Sequence, residues 1–188
     1  MQRLKFLAPS RLCSTFIFLL VIILASCKNK NEAVSVLDEN AIVFKNSFEE
    51  LAGWTENISL DTGDAHSGHY FVKADTTNEF SAGYKYQLSK ITKRKIKFIE
   101  YSAFVCVADL SQKGALVLSI DDGPTNLLWT SVPIDQTSVK IAGKWTNVHE
   151  KIKLPPNVNI NSTVKVYLWN NKHLGTIRGD DFEVRFIL

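Results

Sequence analysis

From about residue 41 onward, apolar and polar positions alternate in short runs, and no stretch sustains an apolar stripe at period 3.6. The pattern predicts β-strands, with helices few and short. The segments "YFVKA", "AGYKYQLS", "KIKFIEYSAFVCVAD", "ALVLSID", "LLWTSVPID", "WTNVHEKIKLP", "STVKVYLWN" and "DFEVRFIL" are rich in β-branched and aromatic residues. Between them stand "DTGDAHSG", "DDGPTN", "AGK", "PPNVN" and "NNKHLGTIRG", all of turn composition. Eight or more strands without an internal repeat predict an all-β fold, an antiparallel β-sandwich, and roughly 150 residues suit a jelly roll.

Alternation also assigns faces. In the last strand Phe182, Val184, Phe186 and Leu188 share one side, Glu183 and Arg185 the other, and Asp180 falls in register with the apolar set. A carboxylate there needs a partner; a turn cap, Arg178 and Lys172 are the plain candidates. Leu128, Val132 and Ile134 turn Trp129 away from the core. Val164, Val166 and Leu168 likewise leave Tyr167 and Trp169 on the opposite face, next to Asn170. Those two rings form either a binding platform or a second packed layer. Trp54, just after the first strand, reads as core, and Cys106, inside a nearly continuous apolar run, as a small buried hydrophobe.

The N-terminus follows another logic. The basic stretch "MQRLKFLAPSR" precedes the apolar run "FIFLLVIILA", which is too short to cross a bilayer as a helix, and then comes "LASC" at Leu24 to Cys27. "LASC" resembles the bacterial lipobox, which implies cleavage before Cys27 and a diacylglycerol carried on its thiol. The chain therefore divides into a lipoprotein signal peptide at 1–26, a lipidated Cys27 with a polar tether at 27–40, and a sandwich domain at 41–188. Localisation follows: the cell envelope, anchored in the outer membrane, with either face open. Cys13 leaves with the signal and Cys27 is acylated, so Cys106 has no partner for a disulfide.

Charge and motif content exclude several function classes. Arg3, Lys5 and Arg11 stand in a stretch without acids, which leaves 19 Lys and Arg against 19 Asp and Glu from residue 28 on. A neutral domain carries no nucleic-acid footprint. No "GxSxG" elbow, phosphate-cradling glycine loop or thiol-nucleophile set occurs, so no enzymatic activity is expected. His66 and His69 flank a loop-to-strand junction that points them apart, unsuited to zinc. The tripeptide Arg178–Gly179–Asp180 spells an adhesion motif, but its Asp belongs to a strand entrance.

Six pieces in order, "NSFEE", Trp54, "AHSGHYFVKA", "GKWTNVHEKIKLP", "VKVYLWNN" and "DDFEV", resemble the galactose-binding-like jelly rolls, among them carbohydrate-binding modules, from about residue 41 to the end. The tether is similar to those of Bacteroidota lipoproteins. The resemblance implies a structural calcium tying the first strand to the last, held by Glu49, the carbonyls around Asp64, Ser67 and Gly68, and Asp180; Glu50, Asp61 and Asp181 compete for the role. It makes Trp145 a core residue. It also implies a non-catalytic module whose glycan partner stacks on Trp129, Tyr167 and Trp169 with Asn170 at the edge. The other reading is a structural or adaptor lipoprotein contacting an envelope protein.

Overall fold

The computed structural model describes residues 40–50, 54, 59–171 and 175–188. Residues 1–39, where the expected signal peptide, Cys27 and all of the expected tether but Asn40 fall, lie outside the described residues, as does Lys172. In chain order the elements are β1 (Ala41–Asn46), β2 (Leu60–Thr62), β3 (Tyr70–Ala74), β4 (Tyr84–Gln87), α1 (Leu88–Ile91), β5 (Phe98–Val107), β6 (Gly114–Asp122), β7 (Thr125–Ile134), β8 (Thr146–Lys153), β9 (Thr163–Trp169) and β10 (Ile177–Ile187). The single turn of α1 ends the predicted strand "AGYKYQLS" at Gln87, and among the described residues it is the one helix.

Two antiparallel sheets form the sandwich. The first has the order β2-β3-β10-β5-β8, with β1 also paired to β10; the second has the order β4-β9-β6-β7. Their inner faces are the alternating apolar sets expected from the sequence. Val72, Ile99, Tyr101, Val105, Ile177, Phe182, Val184 and Phe186 of the first sheet and Tyr84, Leu116, Leu118, Ile120, Val164, Val166 and Leu168 of the second belong to one buried cluster. Each large aliphatic or aromatic side chain so removed from water contributes roughly 1.5–3 kcal/mol. Trp54 joins this core, packed edge-on against Phe48, Tyr84 and Phe182. All the strand pairing lies within the compact unit Glu32–Leu188, which therefore carries its own core.

One irregularity positions everything that follows. Strand β10 pairs with β3 through Ile177–Gly179 and with β1 through Phe182–Ile187, on the same edge. At the change of partner its register against β5 slips between Asp180 and Glu183. The extra residue is a β-bulge, and Asp181 takes it up with φ of 46°, a left-handed conformation that Asp tolerates better than most side chains. The bulge corrects the face assigned to Asp180. Counted back from Phe182 it joins the core face, but across the slip Asp180 lies opposite Phe104, on the outer face with Arg178 and Cys106. Cys106 is buried there as well, where Arg178 Nη2 donates to its Sγ at 2.9 Å. The Arg178–Gly179–Asp180 tripeptide is strand, not loop.

Trp145 needs a second correction. Val148 faces the core opposite Ala103, so alternation along β8 turns Trp145 outward, where it is half-buried against Phe71 rather than in the core cluster.

Candidate functional site

Two places bring chemistry-bearing residues together, one on the outer face of each sheet. The first is the bulge of β10. The turn after β1 is set by Asn46, whose Oδ1 accepts the Phe48 N–H at 2.6 Å while Phe48 takes φ of 60° and plugs into the core. Glu49 is thereby turned outward, and its Oε1 accepts the N–H groups of His69 (2.7 Å) and Tyr70 (2.8 Å). Those two bonds hold its carboxyl below the usual carboxylate range. Gly68, at φ of +61°, lets the turn before β3 close this way, since a Cβ there would lie 2.3 Å from the Glu49 carboxyl carbon.

The same turn covers Asp180. Its Oδ2 accepts the Ser67 N–H at 2.9 Å and its Oδ1 the Asp181 N–H at 2.7 Å, and no part of the residue reaches solvent. Burial pushes the Asp180 carboxyl up, and the neighbouring Asp181 adds to the rise, against the hydrogen bonds that oppose it. Asp181 Oδ1 accepts the Ser67 hydroxyl at 2.8 Å, and His66 Nδ1 lies 2.6 Å from its Oδ2. Glu49, Ser67, Asp180 and Asp181 thus surround one turn. Asp64 departs from the set: its carbonyl accepts from Trp145 Nε1 (3.3 Å) and Arg178 Nη1 (3.2 Å). Among the described residues no three His, Cys, Asp or Glu side chains converge closely enough to hold a metal ion by themselves.

The second place is the outer face of the β4-β9-β6-β7 sheet. Alternation brings Ala115, Val117 and Ser119 of β6 to that face, opposite Trp169, Tyr167 and Lys165 of β9. These small side chains make a floor. Trp129, on β7 opposite Ser119, reaches across it to meet Trp169 edge-to-face at 5.6 Å between ring centres. Phe80, just before β4, meets Tyr167 the same way at 5.6 Å. Trp129 is 47% and Phe80 51% exposed, so flat ring surface is presented to solvent at both ends of the row.

Polar groups rim these rings. Trp169 Nε1 donates to Glu79 Oε1 at 2.9 Å. Lys165 Nζ lies 2.8 Å from Asp121 Oδ2, and Asn126 Nδ2 donates to Asp121 Oδ1 at 2.8 Å. Burial would raise the Asp121 carboxyl, but the bonds from Lys165 and Asn126 outweigh it and hold it low. Beside Phe80 and Tyr167 a recess of about 240 Å³ opens over Gly83, Lys85 and Lys165. Asn170 is not part of this rim, which corrects its expected place at the edge of the rings. It is wholly buried, its N–H donating to the Glu79 carbonyl and its Nδ2 to the Gly175 carbonyl.

Phe80, Glu79, Lys165 and Asp121 were missed in the sequence. Phe80 stands outside any strand, in "TTNEFSAG", where no period assigns it a face. Its isolation as a large apolar residue in a polar turn was the available signal.

A two-sheet antiparallel sandwich of this order, with an aromatic row on one outer face, is a β-jelly roll. Comparison with solved structures agrees. The chain is similar to the C-terminal family 22 carbohydrate-binding module of Clostridium thermocellum Xyn10B, with a TM-score of 0.51 and 11% identity over 77% of this chain and 91% of that one. It is also similar to the tandem CBM22-1–CBM22-2 domain of Paenibacillus barcinonensis Xyn10C, with a TM-score of 0.52 and 17% identity. That match covers 84% of this chain and 48% of the tandem, so this chain spans about half its length. No protein-family model matches the chain, and no curated protein does.

Proposed function

We propose that this protein is a lipid-anchored, non-catalytic glycan-binding module of the cell envelope. The observation that carries the binding reading is the row of rings on the second sheet, with Trp129 and Phe80 exposed and Trp169 and Tyr167 braced behind them. A pyranose presents an apolar face of axial hydrogens with hydroxyls at its rim. Flat indole surface flanked by Glu79, Lys165 and Asp121 suits both parts. The recess is shallow for a small ligand, which favours a polysaccharide chain lying along the rings. The acids nearest the rings are engaged, Glu79 by Trp169 and Asp121 by Lys165 and Asn126, which favours recognition over acid–base chemistry. Screening residues 32–188 on a glycan array, followed by affinity electrophoresis on each hit, tests the reading. Binding to no polysaccharide, or binding that Trp129→Ala and Phe80→Ala both leave unchanged, overturns it.

Anchoring rests on "LASC". Palmitate labelling of the full chain and of Cys27→Ser decides it: the label is expected to disappear with the thiol, and a labelled Cys27→Ser protein ends the lipobox assignment.

The bulge is the proposed calcium site. A fully buried carboxylate whose ionisation is disfavoured is a place where a hard cation compensates charge, and Glu49 and Asp181 add two more carboxylates around the same turn. Glu49, Asp180 and Asp181, with backbone oxygens of the turn, would hold the ion and tie β1, β3 and β10 together. Asp64 would join only by turning its carbonyl away from Arg178. Calcium at a hundredfold excess over its Kd should then stabilise the fold by about 2.7 kcal/mol, reversibly with chelator, and Asp180→Ala should abolish the response.

A further inference from the structure

One end of the sandwich carries a charge pattern that the glycan reading does not use. The connection from α1 into β5, "KITKRKIK", contributes Lys93, Arg94, Lys95 and Lys97, all exposed, and Lys153 at the end of β8 stands beside them. They line a groove of about 610 Å³, and among its described lining residues none is acidic. Apart from Thr92 and Asn159 its remaining wall is apolar, including Leu154, Pro155, Pro156 and Val158, closed by Ile160, which is 57% exposed. The chain beyond Cys27 balances 19 cations against 19 anions, so this is local polarisation and not a sample of a generally basic surface.

The chain also enters the domain at this end. The Asn40 carbonyl accepts the Leu188 N–H at 2.8 Å, the Ile187 carbonyl accepts the Lys97 N–H at 2.7 Å, and Lys97 Nζ donates to the Leu188 carbonyl at 3.1 Å. The Lys97 carbonyl in turn accepts from Leu154, which closes the groove floor against the foot of β1. Groove and tether root are therefore neighbours. Strand β5 spans ten residues from this end to the other, about 30 Å away, where Lys140 and Lys144 stand.

We propose that this groove is a docking surface for an anionic lipid bilayer: the cations meet headgroup phosphates, Ile160 and the prolines enter the interface, and the domain stands tether-end down on its membrane. The inference rests on the lipid-anchored reading for its setting. Position favours lipid as the occupant, because whatever surface holds the tether meets this end first. Amphipathic chemistry favours it too, since binding at an interface draws on both buried apolar area and basic charge.

The test uses the unanchored chain, residues 32–188, sedimented with phosphatidylglycerol-containing vesicles and with vesicles of phosphatidylcholine alone. Binding is expected to the first only, and to be lost in molar salt as the charges are screened. Each surface cation contributes about fivefold to partitioning. Lys93→Gln, Arg94→Gln and Lys95→Gln combined should therefore weaken it on the order of a hundredfold, with the melting temperature unchanged. Ile160→Ser should weaken it less, and Lys140→Gln with Lys144→Gln, at the far end, not at all. Equal sedimentation with both vesicle types, an unaffected triple variant, or heparin bound as tightly as phosphatidylglycerol vesicles overturns the inference. Vesicle binding that persists while Cys27 takes no palmitate supports this surface and defeats the anchor assignment, so the two readings fail separately.

Discussion

The outer faces of the two sheets both carry aromatic rings, and they treat them in opposite ways. On the first sheet the Arg178 guanidinium lies 5.5 Å from the Phe71 ring centre and 5.3 Å from that of Trp145. His66 stacks on Phe104 at 3.6 Å. Phe71 is consequently buried although it faces away from the core. The Arg178 guanidinium and the His66 ring lie over these rings, which removes apolar area from water without a third layer of structure. On the second sheet the rings brace one another edge-to-face, but among the described residues no cation lies over the ring of Trp129 or Phe80. A fold able to cover rings on one face has left them bare on the other. Uncovered apolar surface rimmed by polar groups is what a ligand site looks like.

The comparison is broken most severely from beneath. Trp54→Ala removes a ring shared by Phe48, Tyr84 and Phe182, and about 3–5 kcal/mol of stability is expected to go with it in a denaturant titration. Next in size is the cover on the first sheet. Arg178→Ala uncovers two rings, leaves Cys106 Sγ without its donor and the Asp64 carbonyl with that of Trp145 alone, for a loss of about 2 kcal/mol. Arg178→Lys should recover only part of this, since an ammonium cannot span both rings as a plane does. On the second sheet the order of effects reverses. Trp129→Ala should change the unfolding free energy by about 1 kcal/mol or less, yet weaken glycan binding tenfold or more. A Trp129→Ala protein as unstable as the Trp54 variant would show that the second face is packed in the same sense as the first.

The smallest effect is the pH dependence. On the first sheet Lys73 and the Thr62 N–H hold the Asp61 carboxyl low. For Glu183, burial alone would raise the carboxyl, but Lys45 and Arg185 outweigh it. A carboxyl depressed in the folded state adds stability that is present above its unfolded pKa of about 4 and lost as pH falls through its folded value. Asp180 has the opposite sign. Its raised carboxyl subtracts stability as pH climbs past about 4, most visibly without calcium. Thermal melts across the acid range should therefore show stability declining below about pH 4. Glu183→Gln should flatten that decline, and a curve insensitive to it would show that the surface pairs contribute nothing measurable.

Much of this was legible along the chain. Residues whose environment is set by their own strand's pleat were placed correctly: Phe182, Val184 and Phe186 inward, Trp129 outward, Tyr167 and Trp169 on the face opposite Val166 and Leu168. Trp145 could have been placed the same way, since alternation from Val148 turns it outward; the family likeness overrode that reading. Asn170 follows directly on β9, but there the strand ends, and its backbone and amide serve a turn.

What the sequence determined by itself is the sandwich, the two faces of nearly every strand, and an acid-free basic segment, because each depends on neighbours within a few residues. The tertiary structure alone decided the rest. Whether Asp180 faces in or out depends on a slip against β5, and that slip occurs because β1 and β3, far apart in the chain, divide one edge of β10 between them. Phe80 gains a role only when β9 lies beside it. The cations of "KITKRKIK" become a surface only when β10 carries its end, and with it the start of β1, to the start of β5. Local periodicity holds no record of which distant strand becomes a neighbour, and in this protein that choice assembles both outer faces and the basic groove.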